Sequence, residues 1–298
     1  MKRDVLVGGA AGLTALGGMA GWALLGVGLL GLGGAAAPAA VALAVGGSVE
    51  LGERVTGSIS LLPLGVSLVG AVLLTTVLTN WQRVAGAVAV FAAGLVVLPF
   101  LPAGQFDVGP PFGAIPWLVA VVGVRVAMWH LPWVRRVALV LVGTAGAAMA
   151  TGVVVSFTGG AKMLGTMLLA APNLLAVGLT RGFGVPWEPA GPNLPLPTIE
   201  TGGLGPLEQP LWPLAVLATA VVVLIAVFAR WHAPWVTALC WAAMAWLGGA
   251  RLSLRAGPFP LSLGLTGDVL IAAGVGLAAG SVACLLVAGA RQWQIQRA

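Results

Sequence analysis

The chain has 298 residues, of which 59% are hydrophobic and only 7% are charged, and its formal net charge is +6. A soluble globular domain carries about 25% charged residues, so this composition excludes a water-soluble protein and predicts one embedded in lipid. The 14 Lys and Arg residues form no basic run, which argues against direct nucleic-acid binding, and the two cysteines show no disulfide or metal-binding spacing.

Apolar segments taken in chain order predict an all-α fold, a polytopic bundle of transmembrane helices. A spanning helix needs roughly 20 apolar residues. The first apolar run is longer than the roughly 7–15 residue core of a signal peptide, so we expect an uncleaved span there. We predict about eight spans, at residues 5–33, 61–79, 84–101, 115–131, 137–157, 211–229, 235–250 and 265–289.

Two further apolar segments are ambiguous. Residues 35–47 contain Pro38 and are too short to cross unaided, so they are predicted to be re-entrant or interfacial. Residues 160–180 are long enough to cross, but Pro172 and Asn173 interrupt them. Because Pro lacks a backbone N–H, we expect a broken segment here, and a ninth span if it crosses.

The predicted organisation has three parts: membrane helices at 1–181, a loop at 182–210 and further membrane helices at 211–298. The loop is rich in Pro and Gly without periodicity, which predicts that it forms no helix. Trp187 and Trp212, near its ends, are expected to anchor it at the membrane interface.

The distribution of charge and glycine predicts how the bundle sits and packs. Lys and Arg are biased among the loops in the way that predicts a cytoplasmic N-terminus, for either span count. GxxxG pairs let helices approach closely, within the protein or between copies, so a homo-oligomer is one expectation. These pairs are Gly8/Gly12, Gly17/Gly21 and Gly276/Gly280.

Two related pentapeptides, WHLPW and WHAPW, hold both histidines of the chain. Trp suits the headgroup level and Pro suits the first turn of a following helix, so each pentapeptide is interpreted as an interfacial helix-to-helix turn. The alternative is a pair of haem or metal ligands. No nearby Asp, Glu or Cys completes such a set, so neither metal nor cofactor is predicted. The residues concerned are Trp129, His130, Trp133, Trp231, His232 and Trp235.

The second pentapeptide follows the first by 102 residues, and the same offset places Gly267 over Gly165 in two similar apolar segments. One explanation is an internal repeat, since many transporters are built from repeats and bind substrate where Gly- or Pro-interrupted segments meet. The other is coincidence in a chain rich in Gly, Ala, Leu and Val. Both explanations remain open at this point.

Three charged residues fall inside apolar segments: Arg125, Lys162 and Asp268. An ion in hydrocarbon is costly, so each is expected to face the bundle interior, pair with another charge or reach the interface. They are candidates for a proton or substrate pathway. The alternative is that Lys162 and Asp268 lie near helix ends, where a dipole favours the carboxylate of Asp268.

Two segments carry a family resemblance: TGSISLLPLGVSLVGAVLL from Thr56, and GGAKMLGTMLLAAPNLLAVGL from Gly159, followed by GVPW from Gly184. They resemble the streptophobe family of actinobacterial membrane proteins. The resemblance implies links to chromosome organisation, development and specialised metabolism. It supplies no catalytic residues.

Three functions compete on the sequence. The first is a non-enzymatic membrane protein of the streptophobe type, acting through membrane organisation or protein partners. The second is a small-molecule or ion transporter with a pathway at the repeat interface. The third and weaker one is a membrane enzyme acting on lipid or polyprenyl substrates, since the chain lacks the carboxylate or histidine cluster that such chemistry needs.

Overall fold

The computed structural model describes residues 2–51, 56–104, 106–190, 212–256 and 259–297. Helix accounts for 77% of the structure, which confirms the predicted all-α helical bundle. Six stretches in the described ranges are long and apolar enough to cross a membrane, so the chain is an integral membrane protein. They are Lys2–Leu29, Trp81–Phe100, Pro132–Ser156, Gly160–Gly182, Trp212–Leu247 and Val269–Ile295.

The chain divides into two compact units. The first comprises Met1–Leu175 with Leu252–Pro258, and the second comprises Ala176–Arg251 with Phe259–Ala298. The first unit contains α1 (Lys2–Leu29), α2 (Ala37–Ala44), α3 (Leu64–Val77), α4 (Trp81–Val97), α5 (Ala114–His130), α6 (Pro132–Ser156) and the first part of α7 (Gly160–Gly182). The second unit contains the end of α7, followed by α8 (Trp212–Ala229), α9 (Ala233–Leu247) and α10 (Val269–Ile295).

Short strands accompany the helices, and the sequence prediction did not include them. In the first unit, β1 (Val49–Leu51) pairs antiparallel with β2 (Thr56–Leu61) and with β3 (Phe106–Val108), and Val49 lies opposite both Ile59 and Val108. In the second unit, β4 (Trp187–Ala190) pairs antiparallel with β6 (Phe259–Gly267). β5 (Ala250–Ala256) precedes β6 in the chain.

The core of the first unit forms around α1, which packs against α3 and α4. Gly8 and Gly12 make this packing close, because a Cβ at either position would overlap the α4 backbone at Arg83 or Ala87. The apolar side chains of this core are fully buried, as expected for interdigitating helices. They include Ala15, Met19, Ala23, Val66, Leu74, Leu78, Ala87 and Phe91.

The second unit packs α10 against α9 and α8. Gly276 and Gly280 face α9, where a Cβ on Gly276 would lie 2.7 Å from the carbonyl oxygen of Thr237. The Thr237 hydroxyl donates to the carbonyl of Gly276 at 2.7 Å across this contact. Trp241 is fully buried and stacks on Phe183, with ring centroids 5.4 Å apart.

Several predicted spans differ from the helices that form. The predicted span 61–79 yields α3, which has only 14 residues because β2 and Pro63 occupy its start. The predicted span 115–131 yields α5, of 17 residues. The predicted spans 211–229 and 235–250 lie in one 36-residue apolar stretch, interrupted by a 3₁₀ turn at Arg230–His232.

The expected break in residues 160–180 is absent, since α7 is a continuous helix with Pro172 inside it. The segment 182–210 is also not loop throughout, because it contributes strand β4. Residues 191–210 of that segment, with Glu200 and Glu208, lie outside the described residues.

Candidate functional site

The Pro172–Asn173 pair of α7 forms a polar joint in the first unit. Pro172 has no N–H, so the carbonyl of Leu168, four residues earlier, loses its partner within the helix. The indole Nε1 of Trp22, in α1, donates to this carbonyl at 2.9 Å. This replacement bond explains why the helix continues where the sequence predicted a break, since neighbouring helices often satisfy groups that a membrane proline frees.

Asn173 ties α7 to the turn that precedes α3. Its Oδ1 accepts a hydrogen bond from the backbone N of Leu64 at 3.0 Å, and its Nδ2 donates to the carbonyl of Leu62 at 2.7 Å. The Asn173 side chain is 5% exposed, so these two bonds satisfy backbone groups that water does not reach. The joint therefore connects the two segments that carry the family resemblance, TGSISLLPLG and AAPN.

Glycines allow the three helices to approach at this joint. A Cβ on Gly65, at the start of α3, would overlap the carbonyl oxygen of Leu168. A Cβ on Gly165, in α7, would lie 2.6 Å from the carbonyl oxygen of Gly26 in α1. We name this set the α1–α3–α7 joint, defined by Trp22, Gly65, Gly165, Pro172 and Asn173.

Arg125 lies at a second polar joint, at the other end of α3. Its Nε donates at 2.7 Å to the carbonyl of Leu78, the residue that follows α3 and caps its C-terminal end. Trp129 donates to the same carbonyl through Nε1 at 3.2 Å, and its ring meets Trp81 edge to face, with centroids 5.6 Å apart. Arg125 thus completes the hydrogen bonding of a helix end, which leaves its two terminal amino groups outside this bond.

Asp4 and Asn80 complete this end of the bundle. Asn80 caps α4 by accepting from the backbone N of Arg83 at 2.9 Å. The Asp4 carboxylate accepts from Arg83 Nε at 2.9 Å and from Asn80 Nδ2 at 3.4 Å. The sequence reading missed this group, although an Asn followed by an apolar helix is a recognisable N-cap pattern.

Asp268 and Gly267 lie where β6 meets α10. The Asp268 carboxylate caps α10 by accepting from the backbone N of Ile271 at 2.9 Å, and its own N donates to the carbonyl of Pro186 at 3.2 Å. A Cβ on Gly267 would lie 2.9 Å from the indole of Trp187. The helix dipole favours a carboxylate at a helix N-terminus. Asp268 therefore lies at a helix end, as the alternative to a pathway role predicted.

The structure corrects the position that the sequence predicted for Trp187. Trp187 is 8% exposed and donates from Nε1 to the hydroxyl of Thr180 at 3.0 Å, so it is a core residue of the second unit rather than an exposed anchor. Trp212 is 68% exposed.

Lys162 is an exposed residue in the first turn of α7.

The two Trp-His pentapeptides lie at junctions between consecutive helices. Trp129 and His130 end α5, and Trp133 follows in the first turn of α6. Trp231 and His232 form the 3₁₀ turn between α8 and α9, and Trp235 lies in the first turn of α9. Within the described part of the chain, no group of three His, Cys, Asp or Glu residues is placed to hold a metal ion.

The GxxxG pairs differ in what they contact. Gly8/Gly12 and Gly276/Gly280 bring helices together within their own units, as described above. A Cβ on Gly17 or Gly21 would meet no atom within 4 Å.

Comparison of the chain with protein-family models, with curated proteins and with solved structures finds no match. The functional argument therefore depends on the joints themselves. Both are made of side chains that satisfy backbone groups at helix ends or at a proline, and both fix the position of α3.

Proposed function

We propose that the chain is a non-enzymatic membrane protein of the streptophobe type, which acts through membrane organisation or protein partners. The observation that carries this proposal is the use of the polar side chains in apolar segments. Arg125, Asn173 and Asp268 each bond backbone groups at a helix end. Such residues hold helices in fixed positions, which suits a scaffold more than a pathway that must bind and release a substrate.

We further propose that the protein lies in the plasma membrane of an actinobacterium, with a cytoplasmic N-terminus, and that it is linked to chromosome organisation and specialised metabolism. The bias of Lys and Arg supports this orientation. Four residues of the α1–α3–α7 joint support the family part of the proposal, because they lie in the segments that resemble the streptophobe family: Gly65, Gly165, Pro172 and Asn173.

Complementation in the native host tests this proposal. Deletion of the gene should alter nucleoid spacing, measured by microscopy, and the profile of secreted metabolites, measured by mass spectrometry. Lys162→Gln should restore both, because Lys162 is exposed and belongs to neither joint. Immunoblotting of the membrane fraction shows that the variant is present at the normal level. A deletion that changes neither property would refute the proposed link.

A transporter is the second candidate, and one observation favours it. The Leu62–Leu64 turn contacts Asn173, which lies 13 residues, about 20 Å, into α7. Irregular backbone at that depth occurs where it is buried in protein or lines a cavity, and transporters use such discontinuous helices at their binding sites.

Reconstitution distinguishes the two functions. In proteoliposomes that contain a pH-sensitive dye and carry an imposed membrane potential, a scaffold should give the proton flux of empty vesicles. A proton-coupled pathway should give a larger flux. Lys162→Gln and Asp268→Asn are tested separately, and a variant that abolishes the flux identifies a charge on the pathway. That second result would replace the scaffold proposal with the transporter.

A further inference from the structure

The cations of the first unit collect at one end of its bundle. The ion pair between Asp4 and Arg83, at 2.9 Å, places the start of α1 beside the start of α4. The bonds from α5 to Leu78 place the end of α5 beside the same turn, and α6 begins there at Pro132. The basic residues at this end are Lys2, Arg3, Arg83, Arg125, Arg135 and Arg136.

The charge at this end is almost entirely of one sign. Asp4 is the one acidic residue in α1, α3, α4, α5 and α6, all of which are described throughout. Its carboxylate is already bonded to Arg83. Lys2, Arg3, Arg125 and Arg135 therefore have no carboxylate partner within these helices, and this end of the bundle attracts anions.

Arg125 is placed differently from an ordinary surface cation. It is half-buried in α5, five residues, about 7.5 Å, before the end of the helix. Its bond to Leu78 uses Nε alone, and within the described residues its terminal amino groups make no hydrogen bond. Arg135 is exposed in the first turn of α6, which follows α5 after the single residue Leu131, so the turn brings both arginines to this end of the bundle.

Two like charges near each other at the edge of an apolar helix pair are unfavourable without an anion. A guanidinium presents its terminal amino groups in a fork that matches two phosphate oxygens. Trp81 and Trp129 lie beside Arg125 at the Leu78 turn, and Trp81 is 63% exposed. Trp rings favour the glycerol and headgroup level of a membrane, which a free phosphate ion would not use.

We propose that this end of the first unit is a binding site for an anionic phospholipid. Arg125 and Arg135 bind its phosphate, and Trp81 with Trp129 contact its glycerol and upper acyl region. Basic residues at the cytoplasmic ends of membrane helices recognise anionic headgroups in this way. The site does not depend on the proposed scaffold function, because a transporter with this fold would present it too.

Lipid titration of the full-length protein tests the site. The purified protein in neutral detergent is titrated with phosphatidylglycerol, and bound lipid is measured by native mass spectrometry. A cation near an anionic lipid surface contributes about 1 kcal/mol, so Arg135→Gln should weaken binding about fivefold. Arg125→Gln should weaken it by a similar factor. Phosphatidylcholine, which has no net charge, should bind more weakly and respond less to either change.

Lys162→Gln is the matched control, because it removes one exposed cation at the far end of α6, beyond its 25 residues. It should leave phosphatidylglycerol binding unchanged. Arg135 is exposed, so its variant should melt at the wild-type temperature in lipid-free detergent, which separates a binding effect from misfolding.

Two results would overturn the proposal. The first is equal loss of phosphatidylglycerol from Arg135→Gln and Lys162→Gln, or no loss from either. The second is displacement of the lipid by excess inorganic phosphate with the same loss in the Arg variants, which would mean that the site takes a free anion instead.

Discussion

Replacement of Asn173 by Ala tests the α1–α3–α7 joint. The change removes the acceptor for the Leu64 N–H and the donor to the Leu62 carbonyl, which it bonds at 3.0 and 2.7 Å. Each backbone group is left without its side-chain partner beside a position that is 5% exposed. At about 1–2 kcal/mol for each bond, the free energy of unfolding should fall by about 2–4 kcal/mol.

Reversible unfolding in mixed micelles, followed by tryptophan fluorescence, measures this loss. Asn80→Ala is the matched control, because it removes an Asn that caps α4 near the surface and should cost about 1 kcal/mol. Hydrogen exchange should also accelerate at the amides of Leu62 and of residues 64–66 in Asn173→Ala alone. A loss for Asn173→Ala no greater than that for Asn80→Ala would refute the joint.

Three further predictions concern backbone groups. Trp22→Phe should destabilise the protein by about 1–3 kcal/mol, because it leaves the Leu168 carbonyl without a hydrogen-bond donor. Pro172→Ala in the same chain should recover most of that loss by restoring the backbone N–H. Additive effects of the two changes in a double-mutant cycle would contradict this. Gly65→Ala should lower the melting temperature, because its Cβ would overlap α7. Gly17→Ala meets open space and should raise the melting temperature by improving helix propensity. Equal shifts for the two variants would be inconsistent with close packing at Gly65. Arg230 has a φ of 52°, a left-handed conformation that glycine adopts at the least cost. Arg230→Gly should therefore be more stable than Arg230→Ala by about 1 kcal/mol in chemical unfolding. The reverse order would disprove backbone strain at this residue.

The helical bundle could be predicted from the sequence because composition alone indicates it. Composition does not depend on which residues contact each other in the fold. Long apolar runs form helices in lipid, since every backbone group must then be bonded internally. The pentapeptide turns follow from equally local chemistry, with Pro at the first turn of each following helix. Helix lengths were less well predicted, because the start of α3 is taken by a strand and by Pro63.

The joints could not be predicted because they depend on contacts distant in sequence. Pro172 correctly indicated a missing hydrogen bond, but not that Trp22, 150 residues earlier in the chain, would replace it. Asn173 was interpreted only as part of a break, although its side chain bonds the start of α3. Trp187 was expected at the interface because of its residue type. Its burial depends on a tertiary contact, the hydrogen bond from its Nε1 to the hydroxyl of Thr180, which residue type does not indicate.

Cysteine accessibility tests the central claim, that the polar joint is a fixed structural contact rather than part of a water-filled pathway. On a background with Cys240 and Cys284 replaced by Ala, Ala171→Cys places a thiol beside Pro172 at a position that is 4% exposed. Phe157→Cys, at a position that is 76% exposed after α6, is the accessible control.

Membrane vesicles of both orientations are treated with a membrane-impermeant thiol reagent. A scaffold should show labelling of Phe157→Cys in one orientation and none of Ala171→Cys in either. Labelling of Ala171→Cys from either side at the rate of the control would mean that water reaches the joint, and it would contradict the fixed-scaffold account.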